Sequence, residues 1–565
     1  MKHQVATRIA LRPVLLALAG VLPSFASYAA GPALPGAGTL LQQAQPPAAP
    51  VAPSNDTGLT IERPAAGALP PSTAFPVEHV EIAGNTSIAT PVLHALVADA
   101  EGKKLTLPEL GDLARRITDY YHAHGFPLAR AIVPQQTIQG GTVRIDVIEA
   151  RFGSVVLNNG SRVSDRLLNA TLGGLQSGAV VTDADLDRSL LLLSDIPGLG
   201  VTATLKPGAQ VGTSDLVVGT SPQPLVTGSA NVDNSGDRAT GRARFGAAVN
   251  VINPLHLGDV FSVSGLTSGR DMNYGRVSYD ALLNGAGTRA GVSYSALRYR
   301  LGGDLSPLGA SGDAQVASVW AKHPFVRSRN LNVYGQLGYD HLMLDDDIDT
   351  AGIRTKRHLD NVTAALSGDV RDSLLAGAVT LWNASWTYGH VSFGNADAES
   401  SDAGSADTQG GFSKWNLGVT RLQGLSASDT LYVSVSGQWS SANLDSSQRL
   451  IAGGPTSVRA YDTDAISADT GYLFTAELRH SFATTPIGQW QAVAFVDAAH
   501  VAVNRHVFAG GSNSANLGGV GVGVNWIGPY NLSASASLAV PVGGRPELAG
   551  STASARAWFT LAKGF

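Results

Sequence analysis

From residue 225 to residue 565 apolar and polar positions alternate with a period of two, the spacing of strands rather than helices. Phe245, Ala247, Val249 and Val251 fall on one face, with Arg244, Asn250 and small residues opposite. Val520, Val522, Val524 and Trp526 alternate with Gly519, Gly521, Gly523 and Asn525. Leu532, Ala534, Ala536, Leu538 and Val540 alternate with Ser533, Ser535 and Ser537. Apolar outside and polar or small inside is the pattern of a transmembrane barrel, although a soluble β-sandwich also alternates. The connections discriminate between the two. Short links at 284–287, 373–377, 426–429, 484–489 and 528–530 fall between longer ones at 301–313, 343–354, 392–410, 442–470, 501–515 and 541–552. That succession predicts a transmembrane antiparallel β-barrel of about 16 strands, with tight turns at one rim and long loops at the other. The last strand runs out at Phe565.

Upstream the period changes. A strand is expected over 77–82, and Thr90-Pro91 opens a helix with Leu93, Leu96 and Val97 inward. Thr106-Leu107-Pro108-Glu109 forms a capping box ahead of Leu110, Leu113, Ile117 and Tyr121 at helical spacing, and Gly125 closes that helix. Strands are expected over 128–133 and 142–148. Residues 151–220 repeat the plan, with a strand at 153–157, a helix at 164–172 and a second helix capped by Thr182. Strands at 201–205 and 215–218 complete it. Two tandem units of about 70 residues with one order of elements make an internal repeat, which as a pattern also fits generic α+β repeats. The fold class is therefore mixed: two small α+β domains, 75–150 and 151–222, followed by a barrel over 223–565.

The amino terminus has the form of a secretory signal over 1–29. Lys2, Arg8 and Arg12 precede an apolar run over 14–22, and Ser27-Tyr28-Ala29 supplies small residues for cleavage. Beyond it no apolar run approaches the ~20 residues of a membrane helix. Residues 30–74 are rich in Pro and Ala and are expected to be a mobile, partly extended linker in their middle and end. Residues 38–44 fit either a short polar helix or a disordered tail.

Composition mainly excludes. With 39 basic and 44 acidic residues the net charge is −5, and no polybasic face points to nucleic acid. The absence of Cys removes disulfides, thiol nucleophiles and thiolate metal sites. Asp345, Asp346, Asp347 and Asp349 alternate in a way that suggests Ca²⁺, but Thr350 stands where the loop glycine belongs and no Glu follows at the twelfth position. A solvated outer loop is the reading there. The 13 His are scattered, none in a zinc-protease motif, and no nucleophile elbow or Walker motif is present. No enzyme activity, cofactor or metal is expected.

One long stretch stands out, 449–480, lying between strand patterns at 431–441 and 471–482. Its centre is Val458-Arg459-Ala460-Tyr461. It resembles the V-R-G-Y/F signature of the outer-membrane transporters of two-partner secretion, the haemolysin and filamentous-haemagglutinin exporters of the POTRA-barrel superfamily. Phe495-Val496-Asp497-Ala498-Ala499 is similar to that family's F-x-D-x-G strand motif. Ala460 and Ala499 stand where the family usually carries Gly. The segment 120–134 also resembles the family's first POTRA pattern. Alternation places Trp490, Ala492, Ala494, Val496 and Ala498 on one face, so Asp497 projects to the lumen.

The resemblance implies the rest. The loop folds into the lumen, where Arg459 meets Asp497. An N-terminal helix plugs the pore, and Phe565 serves as the outer-membrane insertion signal read by barrel-assembly machinery. The barrel sits in outer-membrane lipid of a bacterial cell with its POTRA domains in the periplasm. They take up a secreted exoprotein bearing an N-terminal secretion module, which crosses unfolded and without ATP. A barrel-assembly factor of the same superfamily and a small-solute channel are the alternatives.

Overall fold

The computed structural model describes residues 34–45, 52–62, 70–544, 546–550 and 553–565. The expected signal segment and parts of the expected linker lie outside these. Among the described residues, no helix is long and apolar enough to cross a membrane.

The first module opens with β2 (Phe75–Val77) and β3 (His79–Ala83), preceded in the chain by α1 (Ala37–Ala44) and β1 (Leu59–Ile61). It continues through α2 (Thr90–Ala95), β4 (Lys103–Leu105), α3 (Leu107–Ala123), β5 (Arg130–Ile132) and β6 (Thr142–Ile148). The single strand expected at 77–82 is broken at Glu78. Its N–H bonds to Gly141 O at 2.8 Å, which sends β2 to pair with β4 while β3 pairs with β6. Helix α3 starts where the capping box predicts: the Thr106 side chain accepts from Glu109 N and Glu109 returns to Thr106 N at 2.7 Å.

The second module comprises β7 (Arg151–Asn159), α4 (Asp165–Leu172), α5 (Asp183–Ser194), β8 (Leu199–Pro207) and β9 (Thr213–Pro222). The sheet orders are β3-β6-β5 and β7-β9-β8, with β3 parallel to β6 and β7 parallel to β9. The two units therefore share one topology. The linker departs from its expected mobility. Strand β1 lies parallel on the edge of β8, pairing Leu59 with Ala203 and Ile61 with Leu205. Just upstream, Arg327 and Arg371 donate to the carbonyls of Ser54 and Pro53, each at 2.7 Å. Backbone groups that a loose linker would leave to water are here paired with protein.

The remaining sixteen long strands close into one antiparallel barrel, from β10 (Val226–Asp233) to β27 (Arg556–Gly564). Each barrel strand pairs with the next barrel strand along the chain, and β10 pairs with β27 across the seam over five residues. Phe565 extends that seam by exchanging backbone bonds with Gly228 at 2.9 and 3.0 Å. Closure satisfies the ladder with no free edge, the only way strands can cross lipid. The outward face is apolar, and Trp386, Trp415 and Trp439 form a cross-strand row towards the rim away from the modules. Trp490 and Trp526 pair at 5.9 Å near the opposite rim. Two aromatic bands flanking an apolar belt are what a membrane-embedded barrel presents to its interfaces.

The second module is bolted to the turn side of the barrel. Arg327, 2% exposed, grips Asp195 through two bonds of 2.7 and 2.8 Å, and Arg329 reaches Asp187 at 2.7 Å. Burial pushes the Asp187 carboxyl up, and Arg329 partly offsets this.

In the first module Glu149 is buried beneath the loop after β3. It accepts from Thr86 N at 2.8 Å, Ser87 N at 2.7 Å and the Tyr121 hydroxyl at 2.8 Å. Burial pushes its carboxyl up, but the bonds from Thr86, Ser87 and Tyr121 outweigh that and hold it down at about 2. The value is below the ordinary ~4.3 of an unfolded chain, so the stabilisation is complete above that pH and is lost as pH falls towards the folded value. Glu149→Gln is expected to cost up to about 3 kcal/mol at neutral pH. Denaturant melts of residues 75–220 between pH 7 and pH 2 check this. The wild-type fragment should lose stability on acidification, and the variant should lose much less.

Candidate functional site

The barrel wall is a continuous ladder, so whatever fills its lumen must be held by side chains. Two elements do so. The first is the loop between β20 (Asp429–Ser440) and β23 (Thr470–Ser481). Its stem is a short hairpin of β21 (Leu450–Ala452) and β22 (Ile466–Ala468), paired with each other and not with the wall. Its tip carries Val458, Ala460 and Tyr461, all buried, into a cluster with Phe495, Ala499 and Leu517 of the wall.

Arg459 sits at the centre of this tip. Its Nε and one terminal nitrogen hold the two oxygens of Asp497 at 2.9 and 2.8 Å, and its backbone N–H adds a third bond at 3.1 Å. The other terminal nitrogen reaches Glu477 at 2.6 Å, and the guanidinium carbon lies 3.4 Å from the centre of the Phe495 ring. Asp497 also accepts from the Thr475 hydroxyl at 3.1 Å, and its side chain has no exposed surface. A buried carboxylate is tolerable only when its lone pairs are filled, and the planar fork does this with two parallel bonds. Glu477 in turn binds Arg479 at 2.7 Å, so the group is an alternating chain of charges rather than one pair.

Asp497 faces inward as alternation along β24 (Gln489–Ala502) requires, with Phe495 on the same side. Glu477, Thr475, Arg479 and Trp558, whose ring N–H donates to Arg459 O at 2.8 Å, were not anticipated. The first three come from β23, brought beside β24 only by pairing, where Thr475 opposes Asp497 and Glu477 opposes Phe495, and Trp558 comes from β27, farther round the wall. The departure at Ala460 has a local explanation. Its methyl faces Gly519, directly across the ladder from Asp497, and a Cβ at 519 would lie 2.8 Å from that methyl. The missing glycine of the loop is matched by a glycine of the wall. A second clamp holds the loop beyond the tip, where Asp462 takes Arg242 at 2.8 Å and Arg556 at 2.7 Å.

The second filler is helix α1. Ala37, Leu40, Leu41 and Ala44 are spaced along one helical face and pack on lumenal Tyr274, Leu297, Tyr299, Leu342 and Leu359. The lumen is thus apolar over this patch, where polar or small residues were expected. The acidic run does not form a solvated loop. Asp345–Ile348 prolong β16 (Leu331–Ile348), and the turn to β17 (Ile353–Asp372) is only a few residues long. Asp346 points inward, accepting from Ala37 N at 2.7 Å at the amino end of α1 and from the Tyr299 hydroxyl at 2.6 Å. Arg357 bridges it to Asp445, the latter at 2.7 Å, at the start of the loop. An acid at a helix amino terminus is stabilised by the unpaired N–H groups there. Helix and loop also touch directly: Gln42 donates to Ser446 O at 3.2 Å. Phe565 lies at the seam, away from this site.

Comparison with known proteins places the arrangement. The model of the haemolysin secretion/activation protein family ShlB/FhaC/HecB matches residues 212–526, and that of the ShlB-type POTRA domain matches residues 75–150. The heme/hemopexin transporter protein HuxB of Haemophilus influenzae is 26% identical over 478 residues, spanning 83% of this chain and 84% of that protein. The outer membrane transporter CdiB of Escherichia coli is 26% identical over 434 residues, spanning 75% and 72%. The solved structure of CdiB from Escherichia coli shares the fold with a TM-score of 0.70 at 23% identity, covering 89% of this chain and 93% of that one. The chain belongs to the haemolysin secretion/activation family, as an outer-membrane two-partner secretion transporter whose POTRA region precedes a sixteen-stranded barrel.

If the tip is fixed by the charged chain, Arg459→Ala and Asp497→Ala should each weaken its seating by up to about 3–5 kcal/mol, because each leaves a buried charge without its partner. Both should impair secretion or alter pore conductance without preventing insertion. The double variant should be little worse than either single one. Lys at 459 should rescue in part, retaining charge and losing the fork. Planar-bilayer conductance and export of the partner check this; wild-type values for both single variants would contradict it.

Proposed function

We propose that this transporter recognises its partner exoprotein in the periplasm through the two α/β modules and passes it, unfolded, through the barrel once α1 and the loop yield. The observation that carries this reading is the pairing of a closed wall with a lumen filled by separate pieces. The wall is held by a continuous backbone ladder. The fillers are held by side chains at a few points, so they can leave without opening the barrel.

Recognition by strand addition is supported by β1. An extended segment already lies on the edge of β8, held by backbone bonds and by Leu59 and Ile61 on the module core. An exoprotein strand taking that edge would displace β1. Residues 45–58 join β1 to α1, so the displacement would draw on the helix in the lumen. This links binding at the modules to clearance of the pore. The periplasm supplies no ATP, and the reading assigns the driving force to folding of the exported chain outside the cell. Phe565, at the end of the closing strand, is assigned as the signal for insertion by the barrel-assembly machinery.

Deleting residues 151–220 should abolish export of a co-expressed exoprotein bearing an N-terminal secretion module, while the barrel still inserts and shifts its gel mobility on boiling. Export at the normal level by the deletion would reject recognition through the modules.

A further inference from the structure

The first module carries a cluster that the transport reading does not use. His79 on β3, His94 on α2 and Glu101 just after the 3-10 turn Ala98–Ala100 come from three separate pieces of chain. Their ligand atoms lie within 4.8 Å of one another. His79 Nδ1 is 2.8 Å and His94 Nε2 3.1 Å from the same carboxylate oxygen, and the two rings are 5.8 Å apart, centre to centre. That oxygen also accepts from Val80 N at 2.9 Å, so three donors crowd one atom.

We propose that His79, His94 and Glu101 form a binding site for a divalent transition metal, with Zn²⁺ the best fit. The donor set decides the class. Two imidazoles and a carboxylate suit Zn²⁺ and its neighbours, whereas Ca²⁺ and Mg²⁺ take oxygen ligands. Geometry agrees. Tetrahedral bonds of about 2.0–2.2 Å place ligand atoms roughly 3.3 Å apart, so the 2.8 and 3.1 Å His–Glu spacings need to open by a few tenths of an ångström and the two ring nitrogens, within 4.8 Å of each other, need to settle at a similar separation. A metal would replace the protons now shared between the rings and the carboxylate. Glu101 is oriented by the Val80 N–H, the kind of outer bond that fixes a ligand before the ion arrives. All three side chains reach solvent, which gives a path of entry and leaves the fourth position to water.

The site has a structural consequence. Strand β3 is an edge of its sheet, and its outward-pointing Val80 N–H is capped by Glu101. A metal held by β3, α2 and the segment after the 3-10 turn would fasten these pieces across the edge. It would raise the melting temperature of the module and close the edge to an added strand.

The test is titration of the full-length protein in detergent with Zn²⁺ alone, by calorimetry. The wild type should bind one equivalent more than the His79→Ala/His94→Ala variant, and Glu101→Gln should weaken that equivalent at least about tenfold. Circular dichroism in the absence of metal should be the same for all three proteins, since the substituted side chains are not in the module core. In wild type alone Zn²⁺ should raise the melting temperature of the first module. Equal stoichiometry and affinity in wild type and double variant would overturn the proposal, as would a Zn²⁺-dependent melting shift that survives in the variant.

Discussion

Asp497 is a carboxylate with no exposed surface on the wall of a barrel, and it constrains everything that fills the lumen. Such a charge must be neutralised where it stands. Arg459 does this from a loop that has no ladder contact with the wall at its tip, so the loop's depth is set by where Asp497 lies. Gly519 and Ala460 then follow as a matter of space, and Glu477 as the carboxylate that takes the guanidinium's remaining donor. The loop start, placed by this seating, brings Asp445 to Arg357 and hence to Asp346, which caps α1. Two charged groups therefore hold the same loop, one at its tip and one at its start, and the second reaches the amino end of the helix.

The same logic separates what can move from what cannot. The barrel ladder and the Arg327–Asp195 joint hold wall and modules as a frame. Helix α1 is held by four small or aliphatic side chains, one N-terminal acid, one polar bond to the loop and one from Arg244 of the wall to Gln43 O. A short helix released from such contacts gives up far less than a strand drawn from the ladder. The wall is apolar where a filler packs on it, beside Leu40 and Leu41 of α1 and beside Val458 and Tyr461 of the loop tip.

What the sequence reveals depends on distance along the chain. Alternation over eleven residues suffices to turn Asp497 inward, and the capping box at Thr106 suffices to start α3. Link lengths alone carry the strand count. Glu477, Thr475, Trp558 and Gly519 are invisible in that way, because they reach the site only through the pairing register of different strands. Strand β1 is missed for the same reason: three residues in a Pro-rich stretch acquire a partner about 140 positions later. Asp346 was hidden by its neighbours, since a run of acids has the composition of a solvated loop. The helix did leave a signal, in Ala37, Leu40, Leu41 and Ala44 at spacings of three and four. His79 and His94 left none, being joined by the fold across a strand and a helix.

The central claim is that α1 must leave the lumen for the exoprotein to pass. A chain without Cys allows a lock between Gly36→Cys, at the start of α1, and Asp346→Cys on the wall, because a Cβ on residue 36 would lie 3.6 Å from Asp346 Cγ, the position a cysteine sulfur would take. Export of the partner should be measured for this double variant in oxidising and reducing medium, with each single variant as control. The account predicts that export stops when the bond is formed and returns when it is reduced. Export by the oxidised protein at the level of the reduced one would contradict it.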